Sequence, residues 1–217
     1  MKPHLKPEDA VNLIPDGASL MIGGFMGVGS PHRLLDALAA SGKRNFTVIA
    51  NDTARPGYAI GKLIRAGAVS RLIASHIGLN PETQKGMIAG EIDVELVPQG
   101  TLVERIRAGG YGLGGVLTKT GLGTIAAEGQ RTIDIDGEQW VLASPLKADF
   151  ALIAADQADY IGNLQYQLTA TNFNPIMAMA AETVIAESRE ILPVGMIPPD
   201  IVKTPGVIVD YLIERAA

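Results

Sequence analysis

The chain has no cysteine, so neither a disulfide framework nor a thiol nucleophile is available to it. Histidine is scarce as well. His4, His32 and His76 are the whole complement, and their separation does not suit metal ligation, so no metal site is expected. Charge is also thin: charged residues make up 19% of the chain, against an ordinary share of about 25%. The net charge is -5, and the basic side chains are scattered rather than gathered into a stripe. That argues against nucleic acid as the main partner. Small anionic ligands stay open, because helix N-termini can make a site locally positive. No apolar run approaches the length of a membrane span, and the opening MKPHLKPEDAV has no apolar core like that of a signal peptide. A cytoplasmic protein without membrane contact is the expectation.

What the chain does have is apolar side chains, 47% of its 217 residues, and 25 glycines. The length suits one substantial core, and a single domain over 1–217 is expected. So high an apolar share means either that most strands are covered on both faces or that some surface is buried against a partner.

Four units repeat one grammar. An apolar strand at Ser19–Gly23 leads to Ser30 as a helix N-cap, Pro31 in the first turn, then Leu34, Leu35 and Leu38 on one face and Gly42 as the stop. A strand at Phe46–Ala50 precedes a helix near Pro56–Ala66. A strand at Val69–Ala74 precedes a helix capped by Asn80 and closed at Gly90, with Gly86 inside it weakening its regularity. The strand Val94–Val97 is followed by Thr101 and Glu104, spaced as a capping box, and a stop at Gly109-Gly110. Strands alternating with helices predict right-handed crossovers and an α/β fold with a mainly parallel open sheet flanked by helices.

The pattern then changes. Residues 109–123 are dense in glycine, and the alternating runs Arg131–Ile135 and Glu138–Leu142, joined by Asp136-Gly137, predict an inserted β-hairpin. Further strands are expected at Phe150–Ala154 and Thr183–Ala186, with a short helix from about Pro175 between them. A proline-rich irregular arm over Ile191–Val207 should precede a terminal segment at Val209–Arg215.

In an open α/β sheet, ligands gather beyond the carboxyl ends of the strands. The residues there are Gly23, Gly24 and Phe25 after the first strand, with Met26 and Gly27 next in the same turn, Asn51, Asp52 and Thr53 after the second, Ser75 and His76 after the third, and Pro98, Gln99 and Gly100 after the fourth. GGFMGVGSP is neither a phosphate-binding lysine loop nor a dinucleotide fingerprint. Its glycines serve either close approach of a ligand or a tight crossover. Gln99 is either an amide donor to a developing oxyanion or a loop tether. Asn51 and Asp52 either orient a substrate or form an ordinary turn, and His76 is either a site residue or, the reading favoured, a structural one. No acidic side chain stands out as a nucleophile. The chain therefore offers a pocket without an evident reacting group.

Taken together, the motifs resemble a known family. Asp16–Pro31, DGASLMIGGFMGVGSP, resembles the signature of the class I coenzyme A transferases, and Gly90–Gly110 and Leu117–Thr124 are similar to the core of the same family. The resemblance runs over almost the whole chain and points to the alpha subunit of two-subunit 3-oxoacid CoA-transferases, nearest the acetate or butyrate:acetoacetate type. It implies a CoA-transferase-like fold and a ping-pong reaction through a glutamyl-CoA thioester. The nucleophilic glutamate is implied on a separate beta subunit, in an alpha2-beta2 assembly. The CoA thioester is then a substrate, and no permanently bound cofactor is implied. Gln99 matches the glutamine of the oxyanion hole, and Gly24 with Phe25 match the loop facing the shared site. Met26 and Asn51-Asp52-Thr53 depart from the Gly-Gly-Phe-Gly and Asn-Asn-Ala-Gly segments of many relatives. Alternative expectations are the corresponding subunit of a 3-oxoadipate or succinyl-CoA:3-oxoacid transferase, an acyl-CoA hydrolase, or a non-enzymatic sugar-phosphate-binding regulatory protein of similar architecture.

Overall fold

The computed structural model describes residues 1–213. In chain order the elements are β1 (His4–Leu5), α1 (Pro7–Asn12), β2 (Ser19–Ile22), α2 (His32–Ala40), β3 (Phe46–Asp52), α3 (Gly61–Arg65), β4 (Val69–His76), α4 (Pro81–Ile88), β5 (Asp93–Leu96) and α5 (Gln99–Gly110). They continue with β6 (Val116–Thr118), β7 (Arg131–Ile135), β8 (Glu138–Ala143), β9 (Ala148–Asp159), β10 (Leu164–Gln165), α6 (Asn174–Met179), β11 (Ala181–Leu192) and β12 (Tyr211–Ile213).

The main sheet runs β1-β12-β11-β9-β2-β3-β4-β5, and every neighbouring pair along this path is parallel. The short β10 lies antiparallel on β9. Strand residues alternate between two cores, as a period of two requires. Leu20, Ile22, Val48, Leu72 and Leu152 pack with α1, α2 and α3 on one face. Met21, Ile49, Ile73, Ala151 and Ile153 pack with α5 and α6 on the other. The high apolar content is therefore accounted for in good part by strands covered on both faces.

β6, β8 and β7 form a separate antiparallel sheet, with Asp136 and Gly137 in the hairpin turn at φ +55 and +79. Two left-handed residues in sequence are what a two-residue hairpin turn needs.

Several expected boundaries move. α2 begins after Pro31 rather than on a Ser30 cap, because the Ser30 hydroxyl donates to the Gly23 carbonyl at 2.9 Å instead. α3 covers only Gly61–Arg65. α4 forms as expected on Asn80, whose side chain accepts from Glu82 and Thr83, and Gly86 leaves room for Ile92 packed against it. The Thr101–Glu104 capping box does not form: α5 starts at Gln99, and Glu104 pairs with Arg107. α5 ends at Gly110, at the expected glycine pair, and a Cβ at Gly109 would overlap the Leu146 carbonyl. β9 and β11 are much longer than their apolar centres. In the terminal segment, residues 214 and 215 lie outside the described residues.

Candidate active site

The strand order reverses at β2, which has β3 on one side and β9 on the other. In open parallel sheets the crevice at such a switch point, beyond the strand carboxyl ends, is where ligands sit. The glycine loop leaves β2 there.

Contacts along its length hold its shape. The Gly23 N–H donates to the Leu152 carbonyl at 3.0 Å, and the Ser30 hydroxyl closes back onto Gly23. Phe25 and Val28 exchange two backbone hydrogen bonds of 2.9 Å, so Met26 and Gly27 form a two-residue turn at φ +52 and +85. Finally, the amide of Asn174, 0% exposed, donates to the Gly29 carbonyl at 3.0 Å and accepts from the Ala154 N–H at 3.0 Å. A Cβ at Gly23 would overlap the Asn174 side-chain oxygen, so glycine there answers a close approach rather than a turn.

A cleft of about 410 Å³ opens beside this loop, lined by Phe25, Met26, Asn51, Asp52, Ser75, His76, Leu79 and Gln99. The structure thus brings together seven residues singled out in the sequence: Phe25, Met26, Asn51, Asp52, Ser75, His76 and Gln99. Gly23, Gly24 and Gly27 do not line the cleft. Gly24 and Gly27 let the chain pass close to Ser30 and Tyr58, respectively. Leu79 and Asn174 are additions that no local pattern announced, and the only hint of Asn174 is an asparagine directly before Pro175.

The polar wall is a connected chain of hydrogen bonds. Asn51 and Asp52 are buried, at 1% and 4% exposure. Asp52 accepts from the Met26 N–H at 2.8 Å, the Ala54 N–H at 2.7 Å and the Asn51 amide at 3.0 Å. Asn51 Oδ1 then accepts from Gln99 Nε2 at 2.6 Å, and the Ser75 hydroxyl reaches the same residue. Gln99 is exposed at the start of the twelve-residue α5, whose first backbone N–H groups have no intrahelical acceptor. One Gln99 N–H therefore remains for an oxygen in the cleft, beside the positive end of a helix. His76 is exposed, with its ring against Gly78.

A second cavity, of about 600 Å³, lies at the carboxyl ends of β9 and β11 and includes Val28 and Gly29 from the same loop. Its carboxylates are engaged: Glu187 accepts the Arg33 and Leu34 N–H groups that open α2, and Asp156 holds Arg189 and Gln167. At the amino end of the sheet, Asp149 is held below the usual carboxylate range by the hydroxyl and N–H of Ser19. The Tyr166 phenol, facing Thr204, is pushed up by burial.

The coenzyme A transferase family model matches residues 4–215. The alpha subunit of acetate CoA-transferase from Escherichia coli is 53% identical over 95% of this chain and 94% of its own length. The acetoacetyl-CoA:acetate/butyrate CoA transferase alpha subunit of Clostridium acetobutylicum is 49% identical over 97% and 96%. Among solved structures, an acyl-CoA transferase of E. coli O157:H7 in a thioester complex with CoA superposes with a TM-score of 0.88 at 22% identity. The match covers 98% of this chain and 47% of that one, so this chain spans about half of that transferase. Glutaconate coenzyme A-transferase of Acidaminococcus fermentans gives 0.84 at 20% identity, covering 96% and 74%. These two likenesses concern the fold, and it is the match over nearly the full length that decides membership: the chain belongs to the coenzyme A transferase family, within which it corresponds to alpha subunits.

Proposed function

We propose that this chain is the alpha subunit of a heteromeric CoA-transferase that moves CoA between a short acyl-CoA, such as acetyl- or butyryl-CoA, and acetoacetate or a related carboxylate. The observation that carries this reading is the composition of the Gln99 cleft. It has an amide N–H ready for an oxyanion but no carboxylate free to attack: Asp52, the one acid lining it, already has both oxygens bonded to N–H donors. Exposed Phe25 and Leu79 at the same cleft suit cover by a second polypeptide.

The reaction then divides between two chains. On the beta subunit, a glutamate carboxylate attacks the thioester carbonyl, and CoA leaves as thiolate, giving an acyl-glutamyl anhydride. The thiolate attacks the glutamyl carbonyl and expels the carboxylate product, leaving a glutamyl-CoA thioester, and the acceptor carboxylate runs the same steps in reverse. Negative charge collects on the former carbonyl oxygen in each tetrahedral state, where a positioned donor such as Gln99 acts. The CoA thioester enters as substrate, no resident cofactor is invoked, and two copies of each chain make the assembly. The test is expression with and without a beta-type partner, followed by a CoA-transfer assay and borohydride trapping of the thioester. Activity and label should require the partner, with the label on it. Robust activity from this chain alone, or a label on it, would falsify the division of labour.

A further inference from the structure

At position 26 the backbone asks for glycine and receives methionine. Met26 and Gly27 are the central pair of the Phe25–Val28 turn, and both have positive φ, +52 and +85. Such turns favour Asn-Gly or Asp-Gly, because other L side chains crowd the following carbonyl. Methionine has no polar atom with which to relieve that crowding from inside the turn.

The restraint comes from another strand end. Asp52 Oδ2 accepts the Met26 N–H at 2.8 Å, while its Oδ1 accepts the N–H of Ala54, itself a non-glycine residue at φ +52. One buried carboxylate thus holds two left-handed residues. Both a strained backbone and a buried acid are unfavourable, and they persist where the surroundings over-determine them. What this arrangement preserves is the Met26 side chain, half-buried in the Gln99 cleft, where with Phe25 and Leu79 it makes the apolar part of the lining.

We infer that Met26, locked in place by Asp52, sets the length of acyl group that the cleft accepts. The inference rests on the proposed function, in which the reacting thioester carbonyl sits at Gln99. An acyl group whose carbonyl is held there extends into a cleft of about 410 Å³ that Met26 has already narrowed. Once an acyl chain is long enough to reach the thioether side chain, each further methylene meets it, at about 10-fold in kcat/KM per group. Methionine is unbranched and adaptable, so the limit is graded rather than absolute. Backbone contacts of the loop could have been made with glycine at position 26, which is why a side chain there points to selectivity rather than folding.

The experiment uses the complete complex with its beta subunit. Parent, Met26→Gly and Met26→Ala are compared with acetyl-, butyryl-, hexanoyl- and octanoyl-CoA as donors and acetoacetate as the common acceptor. The hexanoyl-to-butyryl ratio of kcat/KM should rise about 10- to 100-fold in both variants. Asp52→Asn keeps a single acceptor oxygen for three N–H groups and should shift the ratio the same way by a smaller factor. If glycine loosens the loop too far for assembly, the alanine variant reads the same ratio, and Met26→Leu supplies a second side chain of different shape. An unchanged ratio in folded, active Met26 variants overturns the inference. A parent complex inactive toward every thioester strikes the function itself and takes this inference with it, so the two failures are told apart by the parent.

Discussion

Gln99 Nε2 donates to Asn51 Oδ1 at 2.6 Å, and the polarity of that bond is dictated one residue further on. A carboxylate can only accept, so Asp52 draws the Asn51 amide nitrogen toward itself. Asn51 must then present its oxygen to Gln99, and Gln99 must answer with its nitrogen. The second N–H of that nitrogen stays available to an acceptor in the cleft.

Gln99→Ala in the assembled complex removes the donor without touching the core, because Gln99 is exposed. kcat should fall by about 10²- to 10³-fold, while association of the two chains, measured by sedimentation, stays as in the parent. A variant with parental kcat would remove Gln99 from the mechanism.

Asn51→Ala leaves Gln99 chemically intact but untethered. The amide can then rotate, so kcat should drop by roughly 10-fold with KM changing less, since orientation rather than contact is lost. An equal rise in KM at constant kcat would instead make Asn51 a direct binder of substrate.

The parts of this architecture that could be read from the chain are those with a short-range physical cause. Short runs rich in apolar residues mark β2, β3, β4 and β5, closed by Gly, Asn or Pro in all but β4, which runs on into Ser75-His76, and strand ends define where Met26, Asn51, His76 and Gln99 must collect. Asp136-Gly137 announces its hairpin through the φ values it alone adopts cheaply. Polar side chains were less legible, because a hydroxyl has several possible acceptors. Ser30 looks like a helix cap, yet it is engaged by Gly23, and Thr101 starts no helix because Pro98 has already done so. The long ends of β9 and β11 were hidden for a different reason: Ala155–Asp159 pair with Ser188–Leu192 through the backbone, which needs no apolar run. Asn174 acts on Gly29 across 145 positions of sequence, and nothing local encodes such a contact.

Asn174→Ala should therefore destabilise the chain well beyond an ordinary surface change. It strands the Ala154 N–H and the Gly29 and Ala170 carbonyls in a partly buried setting, at a combined cost of about 2–4 kcal/mol. Urea unfolding reads this as a lower midpoint at unchanged slope. Asn174→Asp should be no better, because it faces two carbonyls with an acceptor in place of a donor. A midpoint within error of the parent would show that the glycine loop is held by its other contacts alone.

Asp149 gives the pH prediction. Its Oδ2 accepts from the Ser19 hydroxyl and N–H, both at 2.7 Å, and Ser19 Oγ accepts the Asp149 N–H at 2.9 Å, fastening the starts of β2 and β9. The Ser19 hydroxyl, then its N–H, lower the Asp149 pKa below 3.8. A carboxylate with a depressed folded-state pKa adds stability that is fully present above its unfolded value, about 3.9, and is lost as pH falls through the folded value. The side chain is exposed, so solvent screening keeps the contribution below about 1 kcal/mol. Comparing Asp149→Asn with the parent by urea unfolding should show a stability gap at pH 6 that narrows from about pH 4 downward. A gap that is constant with pH would mean that the asparagine variant loses geometry rather than charge, and the protonation linkage assigned to Asp149 would be wrong.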